Sequence, residues 1–241
     1  MGGEAKVIDG KIQERHYHDI FTVDIETGEL NRLTDTLYTQ EVHPLYSPDG
    51  NTIGYISSDR DPSTWEITSC GIYVMDANGT NQARLITDLG FITDIGGFYW
   101  SPDGKKIAYD LYIEGEGKKS GDIYLLDVES TSCINLSNSP NVGDFAPSWS
   151  PDSKKIVFCS YTTSDSCQLW IMDADGNNKI KLFDIPRYPA GFPSWSPDGK
   201  RIVFTDRQNI YSIDADGKNL RTLVKGEGTY RDISYPIWLS Q

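Results

Sequence analysis

The sequence predicts an all-β fold, and three observations lead to that prediction. An aromatic residue followed by Ser-Pro-Asp recurs four times, and a partial fifth copy lies near the C-terminus. A second phrase, Ile-Tyr or a close variant ending in Asp, recurs five times. The aromatic positions are 54, 49, 46 and 43 residues apart, at Tyr46, Trp100, Trp149, Trp195 and Trp238. Repeats of this length are typical of a β-propeller, in which each repeat is one four-stranded antiparallel blade.

The first two strands of each repeat are joined by a tight turn, Ser-Pro-Asp-Gly. Proline presets φ for the turn, Asp can bond nearby backbone, and Gly50, Gly104 and Gly199 supply the positive φ that closes it. Ser153 replaces this glycine in the remaining copy. The segments that follow alternate and are rich in β-branched residues, as in Lys155-Ile-Val-Phe-Cys159, and they predict second strands.

The third strands share one register and each ends in Asp. We predict them at Asp19–Asp24, Gly71–Asp76, Asp122–Asp127, Gln168–Asp173 and Asn209–Asp214. Turn residues such as Ala-Asp-Gly follow, and short apolar segments after them predict fourth strands. Variable loops are expected between second and third strands, with long insertions at 59–69 and 113–121.

The strand inventory predicts five blades in a single domain spanning residues 1–241. Five third-and-fourth pairs and four first-and-second pairs leave a lone first strand at Trp238. Gly3-Glu-Ala-Lys-Val-Ile-Asp9 resembles a degraded second strand such as Gly104–Asp110. We therefore expect the N- and C-terminal strands to share one blade, which hides two sheet edges. The alternative is a truncated larger ring, because a sixth blade needs roughly another 45 residues.

Composition narrows the class of partner. The chain has 22 Lys plus Arg against 35 Asp plus Glu, a formal charge of −13. This balance disfavours nucleic acid, whose phosphates require a basic surface. No apolar run is long enough for a membrane span, and the N-terminus lacks the apolar core of a signal peptide. We expect a soluble monomer without a cofactor, periplasmic or extracytoplasmic if a signal has been removed and otherwise cytoplasmic.

The cysteines and histidines do not predict a metal site of usual spacing. Cys159 and Cys167 lie at the ends of neighbouring predicted strands, so a disulfide between them stays open. No Cys-x-x-Cys pair exists, which leaves a zinc site unsupported. His16 and His18 alternate on one strand approach, but surface or core histidines are the simpler interpretation. Metal binding therefore stays open at this point.

The repeated phrases also resemble a known family. Pro147-Ser-Trp-Ser-Pro-Asp152 and Pro193-Ser-Trp-Ser-Pro-Asp-Gly199, with Ile-Tyr-x-Met-Asp-Ala-Asp-Gly after such turns, are similar to the WD-type repeat of TolB-like propellers. The resemblance covers almost the whole chain and implies a propeller like the C-terminal domain of TolB, which binds proteins and peptides. The repeat also occurs in propellers attached to serine peptidases, but this chain has no Gly-x-Ser-x-Gly elbow. The resemblance therefore implies a non-catalytic binding scaffold.

Candidate binding residues come from the expected mouth of the central channel. Ligands of propellers usually meet the end of this channel, where the positions five and six residues before each aromatic anchor are expected to lie. Four of the five repeats place a carboxylate there, and other polar residues lie nearby in the sequence. The candidate site consists of Glu41, His43, Asp94, Asp144, Arg187, Tyr188, Arg231 and Asp232. An acidic ring of this kind can hold a cation, a sugar or a basic peptide.

A carbohydrate-active or small-ligand propeller is the alternative hypothesis. Five-bladed propellers include glycosidases that use carboxylates on inner strands. Such chemistry needs two carboxylates roughly 5 to 10 Å apart, one of them an acid with a raised pKa. Glu41 with Asp94 or Asp144 could take those roles. We favour binding of a protein or peptide partner and predict no enzymatic activity.

Overall fold

The computed structural model describes residues 6–8, 11–13, 18–36, 38–64, 66–86, 94–115, 118–139, 142–163, 166–185, 191–226 and 236–238. Strands, turns and loops account for all of these residues, so the predicted all-β fold is confirmed. Within the same ranges there is no helix with the length and apolar character to cross a membrane. The chain divides into two compact units, residues 1–90 and 91–241, and the single domain stays a prediction.

The first unit contains two short hairpins and one full sheet. They are a two-stranded sheet β1-β2, a two-stranded sheet β3-β4 and a four-stranded sheet β5-β6-β7-β8, all antiparallel. The strands are β1 Lys6–Ile8, β2 Lys11–Gln13, β3 Phe21–Val23, β4 Leu30–Arg32, β5 Thr39–Tyr46, β6 Thr52–Arg60, β7 Ile67–Asp76 and β8 Ala83–Arg84.

The second unit contains three four-stranded antiparallel sheets, each built from consecutive strands. The first consists of β9 Asp94–Trp100, β10 Lys106–Gly115, β11 Lys118–Asp127 and β12 Cys133–Asn135. The second consists of β13 Gly143–Trp149, β14 Lys155–Thr163, β15 Ser166–Asp173 and β16 Ile180–Ile185. The third consists of β17 Gly191–Trp195, β18 Arg201–Thr205, β19 Ile210–Asp214 and β20 Arg221–Val224. With the sheet β5-β8 and the hairpin β3-β4, these sheets are consistent with the five predicted blades.

The Ser-Pro-Asp turns have the predicted chemistry. In the first copy the Gly50 N–H donates to the Ser47 carbonyl at 2.9 Å, and the Asn51 N–H donates to Asp49 Oδ1 at 3.1 Å. The Ser47 hydroxyl also donates to Asp49 and accepts the Thr52 N–H, which begins β6. The hydroxyl and the carboxylate therefore satisfy backbone groups of the turn, as such side chains commonly do.

Two expected loops are extended hairpins instead. The sequence predicts an insertion at 113–121, but β10 continues to Gly115 and β11 starts at Lys118, with Ile113 opposite Ser120. The expected insertion at 59–69 behaves similarly, because β6 ends at Arg60 and β7 begins at Ile67. Backbone pairing extends these hairpins despite their polar composition, since ladder hydrogen bonds satisfy the groups that a loop would leave to water.

The inner strands β5, β13 and β17 carry a bulge that the sequence prediction missed. His43, Ala146 and Phe192 have φ of 55°, 52° and 44°, and the register with the second strand shifts around each of them. Each precedes a proline, which cannot donate to the ladder. A positive φ is unfavourable for a residue with a Cβ, so the surrounding sheet must hold it in place. The bulge bends the strand next to the predicted binding positions, where bulges often aim side chains.

Neighbouring sheets of the second unit pack through the tryptophan anchors. Trp149 packs with Ala108 and Ile123, and its indole N–H donates to the Tyr99 carbonyl at 3.0 Å. Trp195 is likewise buried, and its indole N–H donates to the carbonyl of the residue before Trp149 at 3.2 Å. Each tryptophan thus packs its ring among apolar side chains and makes one hydrogen bond through its indole N–H, a combination typical of buried indoles.

The N-terminal strands differ from the prediction. Within the expected second strand Gly3–Asp9, Lys6–Ile8 forms β1, and the rest lies outside the described residues. β1 pairs with β2, with Val7 opposite Ile12. In the described part of the chain β3 pairs with β4 alone. Sharing of one blade by the two termini therefore stays a prediction.

Candidate functional site

Three predicted site residues have described side chains, namely Glu41 and His43 in β5 and Asp144 in β13. Asp94 begins β9, and only its backbone is described. The remaining predicted residues lie outside the described residues, and they are Arg187, Tyr188, Arg231 and Asp232. The geometry of the site is therefore built from the two carboxylates and their neighbours.

Glu41 is buried and is held by threonine hydroxyls. Its side chain is 4 % exposed. The Thr39 hydroxyl donates to Oε1 at 2.8 Å, the Thr36 hydroxyl donates to the same oxygen, and the Thr34 hydroxyl lies 3.5 Å from Oε2. Burial chiefly, and then the Glu41 carboxylate, raise the pKa of Tyr55 to about 12. A buried carboxylate requires such donors, because an unpaired one is costly.

Asp144 has the same kind of environment in the second unit. It is 1 % exposed, and burial raises the pKa of Asp144 above its ordinary value. The hydroxyls of Ser160, Ser139 and Ser137 partly offset this rise in pKa, and the charge of Asp122 adds to it. The Ser137 hydroxyl has a single proton, which it donates to Asp122 Oδ1 at 2.8 Å, so Asp122 competes with Asp144 for this donor. Oδ2 of Asp144 accepts no hydrogen bond from the described residues.

The two buried carboxylates share a structural motif that joins a fourth strand to the next first strand. The Ile20 N–H donates to the Thr34 hydroxyl at 2.8 Å, and the Ile123 N–H donates to the Ser137 hydroxyl at 2.9 Å. Each hydroxyl residue follows a fourth strand and also faces a carboxylate on the following inner strand. We call this motif, Thr34 with Glu41 and Ser137 with Asp144, the hydroxyl latch. It holds the connection that leads into the first strand.

The sequence prediction missed the hydroxyl latch, although the sequence contains a signal for it. Thr34 and Thr36 stand two residues apart just after β4, and Ser137 and Ser139 stand two residues apart just after β12. Paired hydroxyl residues resemble ordinary loop composition, and their role becomes evident only when the carboxylate is placed beside them. A Ser or Thr seven residues before a carboxylate is the pattern to seek.

Polar side chains of the first unit lie on β5 and on the segments that pair with it. His43 is exposed at the inner-strand bulge. The Gln40 side chain bonds His18 Nδ1 at 2.7 Å and accepts a hydrogen bond from the Arg60 guanidinium at 2.8 Å. These three side chains therefore connect the segment before β3 with both β5 and β6. Gln40 and His43 lie on the strand that carries Glu41, and such donors and acceptors can orient polar ligands.

Cys159 and Cys167 are buried thiols and are not joined in a disulfide. Cys159 lies opposite Leu169, and Cys167 lies opposite Tyr161, so the two cysteines are diagonal across β14 and β15. Diagonal neighbours are farther apart than a disulfide normally spans. Burial, reinforced by the Cys167 thiol, raises the pKa of Cys159.

The described residues contain no cluster of three or more His, Cys, Asp or Glu side chains arranged to hold a metal ion. The predicted carboxylates Glu41 and Asp144 lie in different units, and each is surrounded by its own set of hydroxyls. Convergence of the carboxylates in one pocket depends on Asp94 and Asp232, whose side chains are not among those described. It stays a prediction.

Comparison with known proteins identifies the family. The family model of the TolB β-propeller domain matches residues 64–236, which is more than half of the chain. The chain belongs to the TolB β-propeller family. The predicted resemblance is confirmed, and the four-stranded sheets are blades of this propeller fold.

Solved structures agree on the fold. TolB from Acinetobacter baumannii superposes with a TM-score of 0.62 at 19 % identity, over 86 % of this TolB-family chain and 49 % of that protein. An oligogalacturonate lyase from Vibrio parahaemolyticus superposes with a TM-score of 0.70 at 13 % identity, over 93 % of this chain and 64 % of the lyase. At such low identities the likeness concerns the fold alone.

A sequence relative carries a peptidase name. The uncharacterized peptidase YuxL of Bacillus subtilis is 32 % identical over 119 residues, which are 47 % of this chain and 16 % of YuxL. The TolB-family chain therefore spans a small part of that relative. The matches include a TolB, a lyase and a protein named as a peptidase. The shared fold therefore does not determine the function, which has to be argued from the residues of the site.

Proposed function

We propose that this TolB-family propeller is a non-catalytic scaffold that binds a protein or peptide at the channel mouth. The observation that supports the proposal is the burial of Glu41 and Asp144, each enclosed by hydroxyls of its own unit. A general acid or nucleophile must come within hydrogen-bond reach of its substrate. Carboxylates that are 4 % and 1 % exposed are suited to positioning loops rather than to touching a substrate.

The proposed role of the hydroxyl latch is to hold the recognition segments in place. Glu41 and Asp144 orient the hydroxyls at the entries to β5 and β13, and the partner contacts groups around them. A rigid support for recognition groups reduces the ordering cost of binding. On this proposal, direct contacts come from His43 and from the predicted residues Asp94, Arg187, Tyr188, Arg231 and Asp232.

Charge favours a basic partner. The formal charge of −13 raises the local concentration of cationic segments and speeds their encounter with the propeller. Arg187 and Arg231 would then orient acidic or carbonyl groups of the same peptide. We therefore propose a peptide that is basic overall and contains some acceptor groups.

Thermal shift measurements test the proposal. Peptides of equal length with basic, neutral or acidic composition are added to the wild-type protein and to an Asp94→Asn, Asp232→Asn double variant. Saturation to about 100 times Kd stabilises the folded state by about 2.7 kcal/mol, a rise in Tm of roughly 5 to 10 °C. We expect this rise with basic peptides for the wild type and its loss in the variant.

A matched control keeps the charge change but moves it elsewhere. Asp175→Asn with Asp216→Asn removes two carboxylates from turns between third and fourth strands, where both side chains are exposed. This variant should bind like the wild type. Equal loss of binding in both variants would show that net charge, rather than the mouth residues, attracts the peptide. If no peptide raises the Tm of the wild-type protein, the proposal is contradicted.

One observation favours the carbohydrate-active alternative. Asp144 combines a raised pKa with a carboxylate oxygen that accepts no hydrogen bond from the described residues, and proton donors in glycoside hydrolysis require a raised pKa. Under that alternative Asp144→Asn abolishes turnover of an oligosaccharide while the protein remains folded. Incubation with neutral and acidic oligosaccharides, followed by chromatography of the products, distinguishes the two functions.

A further inference from the structure

The strand β3 exposes a position that every complete blade buries. Val23 is 58 % exposed. The same position of the other third strands is at most 1 % exposed, and it is occupied by Met75, Leu126, Met172 and Ile213. A valine with this exposure, at a position that otherwise belongs to the core, indicates that β3 lacks packing partners that the complete blades have.

A further strand would belong on the side of β3 opposite β4. In the complete blades the second strand occupies this side, and in three of them it stacks an aromatic ring on the third strand. The stacked rings have centroids 5.4 to 5.6 Å apart in the pairs Tyr55–Tyr73, Tyr109–Tyr124 and Phe204–Tyr211. Phe21 is the equivalent residue of β3 and is 45 % exposed. Among the residues that the structure describes, no strand pairs with this edge of β3, and open edges favour pairing.

The charge of Asp24 at the end of β3 indicates which kind of residue the added strand should contribute. Asp24 corresponds to Asp173 and Asp214, which end their third strands. Lys155 Nζ lies 2.7 Å from Asp173, and Arg201 Nε lies 3.4 Å from Asp214, each from the facing second strand. Oδ1 of Asp24 accepts N–H groups of its own turn, and Oδ2 accepts no hydrogen bond from the part of the chain that the structure describes. A basic residue at the start of a strand paired with β3 would give Asp24 the same partner that Asp173 and Asp214 have.

The chain contains a matching segment in β1. Lys6-Val-Ile8 has the same pattern as Lys155-Ile-Val157 and Arg201-Ile-Val203, which begin β14 and β18: a basic residue followed by two β-branched apolar residues. In both of those blades the basic residue lies opposite the terminal Asp of the third strand, and the next residue lies opposite the buried position. Applied to β1, this register places Lys6 opposite Asp24 and Val7 opposite Val23.

We propose that β1 leaves its pairing with β2 and adds to the edge of β3 of the same molecule in this register. The exchange places Val7 beside Val23, pairs Lys6 with Asp24 and supplies the second strand of the incomplete blade. The apolar area removed from water and the additional ladder bonds stabilise the docked strand. The inference is independent of the proposed binding function, because it concerns an edge of the first unit and not the mouth residues.

Disulfide trapping tests the register. Val7→Cys with Val23→Cys, in a Cys133→Ser background that removes an exposed thiol, places two cysteines directly opposite each other. Opposed Cβ atoms about 4.5 to 5.5 Å apart are close enough to bridge with little backbone movement. Under mild oxidation we expect an intramolecular 7–23 disulfide in the monomer, identified by peptide mass spectrometry.

The matched control is Val7→Cys with Ile12→Cys in the same background, which reports the β1–β2 pairing. A 7–12 disulfide without any 7–23 product would overturn the proposal, as would the absence of both products from the folded protein. A 7–23 disulfide found only between two molecules would assign the edge to a second copy and overturn the intramolecular form.

Charge reversal gives an independent measurement that needs no cross-link. Lys6→Asp should lower Tm by about 1 to 3 °C, as expected for a surface ion pair. Asp24→Lys should lower it further, because it also removes the acceptor of the Glu26 and Thr27 N–H groups. The double variant should lose less than the sum of the two single losses, because the swapped charges attract each other again. Lys11→Asp is the control, because Lys11 begins β2 and lies outside the proposed pair. Additive losses in the double variant would overturn the Lys6–Asp24 pairing.

Discussion

The Trp238 indole N–H donates to the carbonyl oxygen of Ser194 at 3.2 Å. Trp195 makes the same bond to Ser148, and Trp149 makes it to Tyr99. In each case the acceptor immediately precedes the aromatic anchor of the preceding repeat. Trp238 therefore holds the position of a first-strand anchor beside β17, as the partial fifth repeat predicts.

Replacement of Trp238 by phenylalanine should destabilise the protein by about 1 kcal/mol, because one hydrogen bond is lost while most of the apolar contact remains. Urea unfolding measures the change as a lower midpoint. Ile237→Ala is the control, since Ile237 is 72 % exposed and its truncation should change stability by no more than about 0.5 kcal/mol. Equal effects of the two substitutions would argue against the indole bond.

Ser153 takes the glycine position of its turn with φ of 59°, and its hydroxyl accepts the Asp103 N–H of the neighbouring turn at 3.2 Å. Ser153→Ala keeps the unfavourable φ and loses the bond, and should cost about 1 kcal/mol. Ser153→Gly loses the bond but relieves about 1 kcal/mol of backbone strain, so it should be close to neutral. Unfolding curves that reverse this order would contradict the role of the hydroxyl.

Removal of the Thr34 hydroxyl should loosen the hydroxyl latch. Thr34→Val keeps the shape of the side chain but leaves the buried Ile20 N–H without its acceptor, so we expect a loss of about 1 to 3 kcal/mol. Urea unfolding measures this loss, and faster hydrogen exchange of the Ile20 amide locates it. Thr222→Val is the control, because Thr222 lies exposed in β20 and its replacement should change stability by at most about 0.5 kcal/mol. An unchanged Ile20 amide would contradict the latch.

Asp144 should give a specific dependence of stability on pH. Burial raises the pKa of Asp144 in the folded state, so the folded protein holds this proton to higher pH than the unfolded chain does. Its contribution to stability is therefore fully present below the unfolded pKa of about 3.9 and is lost as pH rises through the folded pKa. The stability of Asp144→Asn relative to the wild type should accordingly increase from about pH 4 upward, measured by urea unfolding at each pH.

Asp103 provides a control of opposite sign for that measurement. The Ser101 hydroxyl chiefly holds the pKa of Asp103 below its ordinary value, and the Lys105 N–H assists. This contribution is present above the unfolded pKa and is lost as pH falls through the folded pKa. Asp103→Asn should therefore be least stable relative to the wild type near neutral pH and approach it in acid. The same trend with pH for both variants would contradict the assignment of Asp144 as a buried acid.

The local chemistry of the repeats could be predicted from the sequence because its partners are close together in the chain. In the Ser-Pro-Asp turn, the Gly50 N–H reaches back to Ser47 and Asp49 bonds Asn51, so each interaction closes within a few residues. The alternation of the strands and the spacing of the aromatic anchors depend on the same short-range rules. Turn type, strand order and fold class follow from these patterns.

The candidate site could be predicted only in part. The position of Glu41 and Asp144 on the inner strands follows from the repeat, and the structure places both there. Their burial does not follow from the repeat, because it depends on Thr34 and Ser137, which come from the preceding fourth-strand connection. The bulge at His43 could not be predicted from the repeat either, because a register shift depends on the partner strand as well as on the following proline.

By itself the sequence determined an all-β chain of repeated four-stranded units, the residues that turn each hairpin and the tryptophans that anchor neighbouring sheets. Only the tertiary structure decided that two carboxylates expected to face a ligand are enclosed by hydroxyls, and that Val23 on β3 is exposed while its equivalents are buried. Turns and strand periodicity arise from the backbone preferences of neighbouring residues, which the sequence displays directly. Burial, the pKa of a carboxylate and the pairing of a strand edge depend on groups that are distant in the chain and meet only when it folds.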